Sequence, residues 1–144
     1  MSILSKSSAY GLRASMYVAA SGERGFVSIG KISSDLDISF HFLTKILQKL
    51  TRAGIMSSHR GPTGGVALAK PARKISVLDI VEAVEGPGFL KACVLGLSGC
   101  GDKTPCPMHS QWAKERKRIR TVFSRTPLSQ LTDAFLENTL RLAD

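Results

Sequence analysis

The 144-residue chain contains no cysteine outside one short stretch, and no apolar run that approaches the ~20 residues of a membrane helix. Its first residues, Met1-Ser-Ile-Leu-Ser-Lys6, lack the apolar core of a secretory signal. A membrane partner is therefore not expected, and a cytoplasmic location is. Acidic residues are also scarce: 11 against 20 Lys and Arg, for a formal net charge of +9. A balance of that sign fits a polyanionic partner through phosphate neutralisation. Internal repeats, low-complexity tracts, a paired catalytic carboxylate, a nucleophile triad and a Gly-Lys-Ser/Thr nucleotide loop are all missing, which argues against an enzyme. At 43% hydrophobic and 22% charged residues the chain can bury a core, so gross disorder is excluded.

What is present is ordered along the chain. A first helix is expected over 5–21, with Leu12, Met16, Ala19 and Ala20 on one face, ended by Gly22-Glu-Arg-Gly25. Phe26-Val27 is short and extended. Ser28 is placed to cap a second helix bearing Ile29, Ile32 and Leu36, and Ser39 to cap a third bearing Leu43, Ile46, Leu47 and Leu50. Gly54 is a left-handed stop for the third. Two short helices joined by a tight turn at Asp37-Ile38 form a helix-turn-helix. Residues 55–59 and 66–68 then read as strands around Gly61-Pro-Thr-Gly64-Gly65, so the order is that of a winged helix. Ser76 and Asp79 form a capping box for a fourth helix with a Val77, Ile80, Val81, Val84 stripe, stopped by Gly86-Pro-Gly88. A long helix is expected over 109–124, with Trp112, Ile119 and Phe123 on one side. A last helix over 128–142 carries Leu128, Leu131, Phe135 and Leu142.

The third helix has a second face made of Phe40, His41, Phe42, Thr44, Lys45, Gln48 and Lys49. Recognition helices read bases with their first turns. Thr44 and Lys45 suit base edges, Phe42 a thymine methyl, and Lys49 and Arg52 phosphates. Arg60 stands before the glycine-rich wing tip, where an arginine can enter a minor groove or grip phosphate. Gly61, Gly64 and Gly65 permit close backbone approach there. The expected DNA-facing set is thus Ser28, Ser39, Phe40, His41, Phe42, Thr44, Lys45, Lys49, Arg60, Gly61, Gly64 and Gly65. The basic run 114–120 reads as a solvated helix face.

The remaining signal is Cys93, Cys100, Cys106 and His109 in one glycine-rich loop. Reduced thiolates select an iron–sulfur cluster, zinc or copper(I). Six and five intervening residues do not make the Cys-x-x-Cys knuckle common in structural zinc sites. Iron–sulfur sites accept varied spacing and a histidine on iron. Lys91 and Lys103 offset thiolate charge. On residues alone a cluster, a zinc ion and a bare thiol switch all remain open, with Asp102 a rival fourth ligand. An electron-transfer protein is the remaining alternative, supported by the cysteines alone.

Taken together, several stretches resemble the winged-helix iron–sulfur transcription regulators that include IscR, NsrR and RirA. They are Ser8-Ala-Tyr10-Gly-Leu-Arg13-Ala, the 32–50 helix-turn-helix, Ser58-His-Arg60-Gly61-Pro-Thr-Gly64-Gly65, Ile75-Ser-Val-Leu-Asp-Ile80 through Val84-Glu85-Gly86, and the three cysteines. The resemblance spans essentially the whole chain. It implies a mainly α fold: a winged helix-turn-helix with a two-stranded wing over 1–86, a cluster-binding loop over 87–108, and a dimerisation helix plus a C-terminal helix over 109–144. It further implies a homodimer on double-stranded DNA with a palindromic operator, acting as a repressor and holding a 2Fe-2S or 4Fe-4S cluster. It places Phe42, Thr44 and Lys45 at base-reading positions, with side chains that differ from those of relatives. The first cysteine spacing is one residue longer than the IscR and NsrR patterns. Ala9 stands where nitric-oxide sensors supply an aspartate ligand, and Val66 replaces an aromatic. Cys106-Pro-Met-His109 keeps the IscR-like Cys-x-x-His, which makes His109 the implied fourth ligand.

Overall fold

The computed structural model describes residues 3–21, 25–137 and 141–144. Its first helix, α1 (Lys6–Ala20), starts where the Ser5 side chain accepts from the Ser8 amide at 3.1 Å. The face it buries is not the Leu12, Met16, Ala19, Ala20 stripe expected from periodicity. Ser8, Gly11, Ala14, Ser15 and Val18 are buried instead, while Leu12, Met16 and Ala19 flank the core half-buried. The reason is close packing. Helix α1 lies against five other elements, and a Cβ added at Gly11 would stand 3.1 Å from Val84 Cγ2 and 3.4 Å from Ile46 Cγ2. Small residues let these axes approach, and their hydroxyls find partners. Ser15 donates to the Gly11 carbonyl at 2.7 Å and Ser8 to Glu85 at 2.6 Å.

Helix α2 (Ile29–Leu36) buries Ile32 and Leu36 and ends at Asp37, which is left-handed at φ 51°. Helix α3 (Phe40–Arg52) buries Leu43, Ile46, Leu47 and Leu50, the predicted i, i+3, i+4, i+7 set. Ser28 caps α2, accepting from Lys31 at 3.4 Å, whereas Ser39 occupies the N-cap of α3 without a side-chain capping bond. Gly54 follows α3 at φ 73°, the left-handed stop expected there. Strands β1 (Met56–His59) and β2 (Gly65–Leu68) pair antiparallel from Met56–Leu68 to His59–Gly65. Val27 adds a bridge to Val66, its amide and carbonyl bonding at 2.8 and 2.9 Å, which fastens the wing to the segment entering α2.

A 3-10 turn (Ala72–Lys74) leads to α4 (Val77–Glu85), whose capping box is formed as predicted. Ser76 accepts from the Asp79 amide at 3.0 Å and Asp79 accepts from the Ser76 amide at 2.8 Å. Ser76→Ala is expected to cost about 1 kcal/mol in denaturant unfolding; no loss would mean that α4 is held by packing alone. After an irregular loop come α5 (His109–Arg125) and α6 (Leu128–Glu137). The predicted last helix is shorter than expected. Residues 138–140 lie outside the described set, and 141–144 are not helical. Leu142 still packs half-buried against the core, and its carbonyl accepts from Arg13 Nε. Residues 22–24 of the predicted first turn also lie outside the described set. Among the described residues no helix is long and apolar enough to cross a membrane.

Candidate nucleic-acid interface and metal centre

Helix α3 and the wing enclose a cleft of about 380 Å³. Thr44, Gln48 and Arg52 line its helix side, and Ser58, His59, Arg60 and Gly65 its wing side. Lys45 is exposed on α3 and is not part of the cleft lining. Phe40 is 50% exposed at the start of α3 and meets His41 edge-on, with ring centroids 6.1 Å apart. Other members of the predicted set have their own contacts. Phe42 is half-buried, edge-on against Tyr10 at 5.7 Å, and packs on the core. The Thr44 hydroxyl donates back to the Phe40 carbonyl at 2.7 Å, which leaves its lone pairs to accept. Lys49 turns away from the cleft and donates to the Val84 carbonyl at the end of α4, at 3.0 Å. In that position it also faces Glu85. Burial would raise the Glu85 carboxyl, but hydrogen bonds from Ser5 and Ser8 and the Lys49 charge hold it below the usual carboxylate range.

The wing glycines serve the chain's own backbone. A Cβ on Gly65 would lie 2.0 Å from the Val27 carbonyl oxygen, and one on Gly64 2.2 Å from that of His59. Gly61 at the tip meets nothing within 4 Å and is needed only for its φ of 110°. A further contact had no sequence signal. Phe26 stacks on His59, with ring centroids 5.3 Å apart and planes at 28°, which fixes that imidazole on the cleft wall.

The cysteine loop brings its ligating atoms together. The Sγ atoms of Cys93, Cys100 and Cys106 all lie within 4.8 Å of one another, with Cys93 and Cys106 at 3.5 Å. His109, the first residue of α5, places Nδ1 3.4 Å from Cys100 Sγ, and its Nε2 meets Asp102 Oδ1 at 3.1 Å. All three thiols are free and half-buried. Desolvation would raise the Cys93 thiol, but the Leu97 and Leu95 amides and the Cys106 and Cys100 thiols outweigh it and bring it to about 7. Cys106 moves the opposite way, raised by desolvation and then by the Cys93 and Cys100 thiols. The lowered Cys93 thiol favours the thiolate form that a soft metal needs.

Further along α5, three side chains also bond back to the loop and α4. Trp112 donates to the Ala92 carbonyl at 3.0 Å, Arg116 to the Lys91 carbonyl at 3.0 Å, and Arg120 to Glu82 at 2.7 Å. The basic run is thus only partly a solvated face: Arg116 and Arg120 are engaged. Helix α5 has no fully buried residue; Phe123 stacks on Phe89 at 6.1 Å, and Val122 is exposed.

Comparison with known proteins agrees with this architecture. A family model described as an iron-dependent transcriptional regulator (Rrf2) matches residues 4–134. A putative HTH-type transcriptional regulator of Aquifex aeolicus is 30% identical over 131 residues, 90% of each chain. The HTH-type transcriptional regulator IscR of Klebsiella pneumoniae is 31% identical over 86% of this chain and 76% of its own length. Among solved structures, T. potens IscR superposes with a TM-score of 0.76 at 27% identity, covering 96% of this chain and 91% of that one. CymR, the global cysteine regulator of B. subtilis, gives 0.75 at 26% identity, covering 92% and 98%.

Proposed function

Since the chain belongs to the Rrf2 family and is a winged-helix, DNA-binding transcription regulator rather than an enzyme, we propose that it represses its targets as a homodimer on a palindromic operator, with DNA affinity set by an iron–sulfur cluster on Cys93, Cys100, Cys106 and His109. The observation that carries this reading is the convergence of three Sγ atoms within 4.8 Å, with the His109 Nδ1 3.4 Å from one of them. That donor set is soft and chemically suited to iron–sulfur ligation. When bound, such a cluster supplies a group that reacts with oxygen or nitric oxide and is lost under iron scarcity, so redox state, nitric oxide or cluster supply are the signals it fits.

The chain's own contacts provide a route to DNA. The loop leaves the end of α4 at Gly86, one residue after Glu85 and two after Val84. The Val84 carbonyl holds Lys49 of α3, and the loop carbonyls of Lys91 and Ala92 are held by α5. A shift of the loop thus pulls on the reading helix and on α5 together. A tenfold change in occupancy needs a difference of only ~1.4 kcal/mol between two states. Homodimerisation through α5 is supported by its lack of buried residues and by exposed Val94, Leu95, Leu97 and Val122, an apolar surface that calls for a covering.

The DNA face is tested at the cleft. Arg60→Ala should weaken binding to all sequences and lower the salt slope by about 1, whereas Lys45→Ala should relax preference at one operator position at a cost of ~1–3 kcal/mol. Unchanged operator affinity in both variants would remove the cleft as the interface.

A second reading rests on the same spacing. A tetrahedral zinc ion with Zn–S of ~2.3 Å sets its thiolates ~3.8 Å apart, close to the 3.5 Å between Cys93 and Cys106. A cluster would draw on the same three thiolates and His109, so the spacing fits both. Iron, acid-labile sulfide and zinc assays on anaerobically purified protein separate the readings: iron with sulfide supports the cluster, and zinc without sulfide overturns it.

A further inference from the structure

The polar contact on the far side of the His109 ring has no part in the ligand set. Asp102 lies between the second and third cysteines, in a turn closed by the Gly101–Thr104 bridge. The Thr104 amide donates to the Gly101 carbonyl at 3.1 Å, and the Thr104 hydroxyl to the Gly99 carbonyl at 2.7 Å. The turn holds the Asp102 carboxylate 3.1 Å from His109 Nε2. The opposite ring nitrogen, Nδ1, faces Cys100 Sγ at 3.4 Å. The His109 side chain is only 14% exposed, whereas that of Asp102 is fully exposed.

A carboxylate can only accept. In a neutral imidazole, the contact therefore draws the ring hydrogen to Nε2 and leaves the Nδ1 lone pair bare toward the thiols. A ligating histidine is commonly oriented in this way by a carboxylate on its other nitrogen. Resting on the metal-centre reading above, we propose that Asp102 is the positioning residue of that centre: it fixes the His109 tautomer and aims Nδ1, not Nε2, at the metal. Asp102 then acts through His109 and is not itself a ligand, although it was a candidate for the fourth position on composition. The full exposure of Asp102 also means that its replacement leaves the core untouched.

Two measurements test this. In the metal-free protein, nitrogen-15 shifts should report the Nε2–H tautomer of His109. Asp102→Ala should mix the two tautomers, and Asp102→Asn, whose amide oxygen still accepts, should keep the first. Cobalt(II) alone, titrated anaerobically against a competing chelator and followed by its tetrahedral visible bands, gives the affinity. Asp102→Ala should weaken cobalt binding ~10–100-fold, His109→Ala at least as much, and the double variant no more than His109→Ala alone. Additive losses in the double variant would make Asp102 an independent ligand and overturn the proposal. So would an Nδ1–H tautomer in the parent protein, or an Asp102→Ala affinity equal to the parent's. A parent protein that takes up no cobalt would overturn the metal centre itself and this inference with it, an outcome distinct from parent uptake that Asp102→Ala leaves unaltered.

Discussion

Gly65→Ala should destabilise the protein by at least about 3 kcal/mol, lowering the midpoint of thermal unfolding by roughly 10 °C. Two independent penalties fall on this position. Its φ is +150°, which a side chain rarely adopts, and its Cβ would stand 2.0 Å from the Val27 carbonyl oxygen, 2.4 Å from the Val27 carbonyl carbon and 2.9 Å from the Ser28 amide. These are backbone atoms and have no rotamer to change. Relief requires the strand to part from Val27, which breaks the two bonds between Val27 and Val66 and exposes both buried valines. Gly61→Ala is the matched control. Its φ is +110° but nothing lies within 4 Å, so it carries only the backbone strain of about 1–3 kcal/mol. Denaturant curves for the two variants should show a clearly larger loss at Gly65. Equal losses would mean that the contact with Val27 does not constrain the wing.

That glycine also marks the limit of what the sequence makes legible. The helix-turn-helix could be read because α2 and α3 each bury one regular stripe, and the wing because a glycine cluster separates two apolar segments. Which glycine touches what could not be read: Gly65 meets a residue 38 positions earlier, and no local pattern encodes that encounter. Helix α1 fails for a related reason. Periodicity ranks Leu12 and Met16 as core, yet the center of the fold is packed by Ser8, Gly11 and Ser15, because axis-to-axis approach outweighs side-chain hydrophobicity there. Lys49 reads as a phosphate contact from its place on α3, and only the position of the Val84 carbonyl shows its other use. The convergence of the cysteine loop was the most legible part, since three thiols and a histidine stand in one short glycine-rich stretch. The contact of Asp102 with the His109 ring could not be read, because nothing in spacing says which carboxylate stands behind an imidazole.

Cys106→Ser should reduce bound iron and acid-labile sulfide to background while leaving the fold intact. The two halves of that statement follow from where the thiols sit. All three cysteines are half-buried in the loop and none belongs to the hydrophobic core, so the unfolding midpoint of the metal-free protein should move little. Cys106 is nonetheless central to the donor set. It lies 3.5 Å from Cys93, and its backbone carbonyl accepts the His109 amide at 2.9 Å, which places the ring at the start of α5. Serine keeps the size but presents a hard hydroxyl that does not ionise near neutral pH, so it replaces neither the softness nor the charge of a thiolate. The coupling prediction is then sharp. If loop state governs DNA affinity through α4 and Lys49, Cys106→Ser should bind operator as the metal-free parent does, and should differ at least tenfold from the loaded parent, which corresponds to ~1.4 kcal/mol. Lys49→Met in the loaded protein should shrink that tenfold difference, because it cuts the bond between α3 and the end of α4. A loaded parent and a Cys106→Ser variant with equal operator affinity would leave the cluster without a regulatory role, and a Cys106→Ser variant that retains iron and sulfide would move the centre away from this loop.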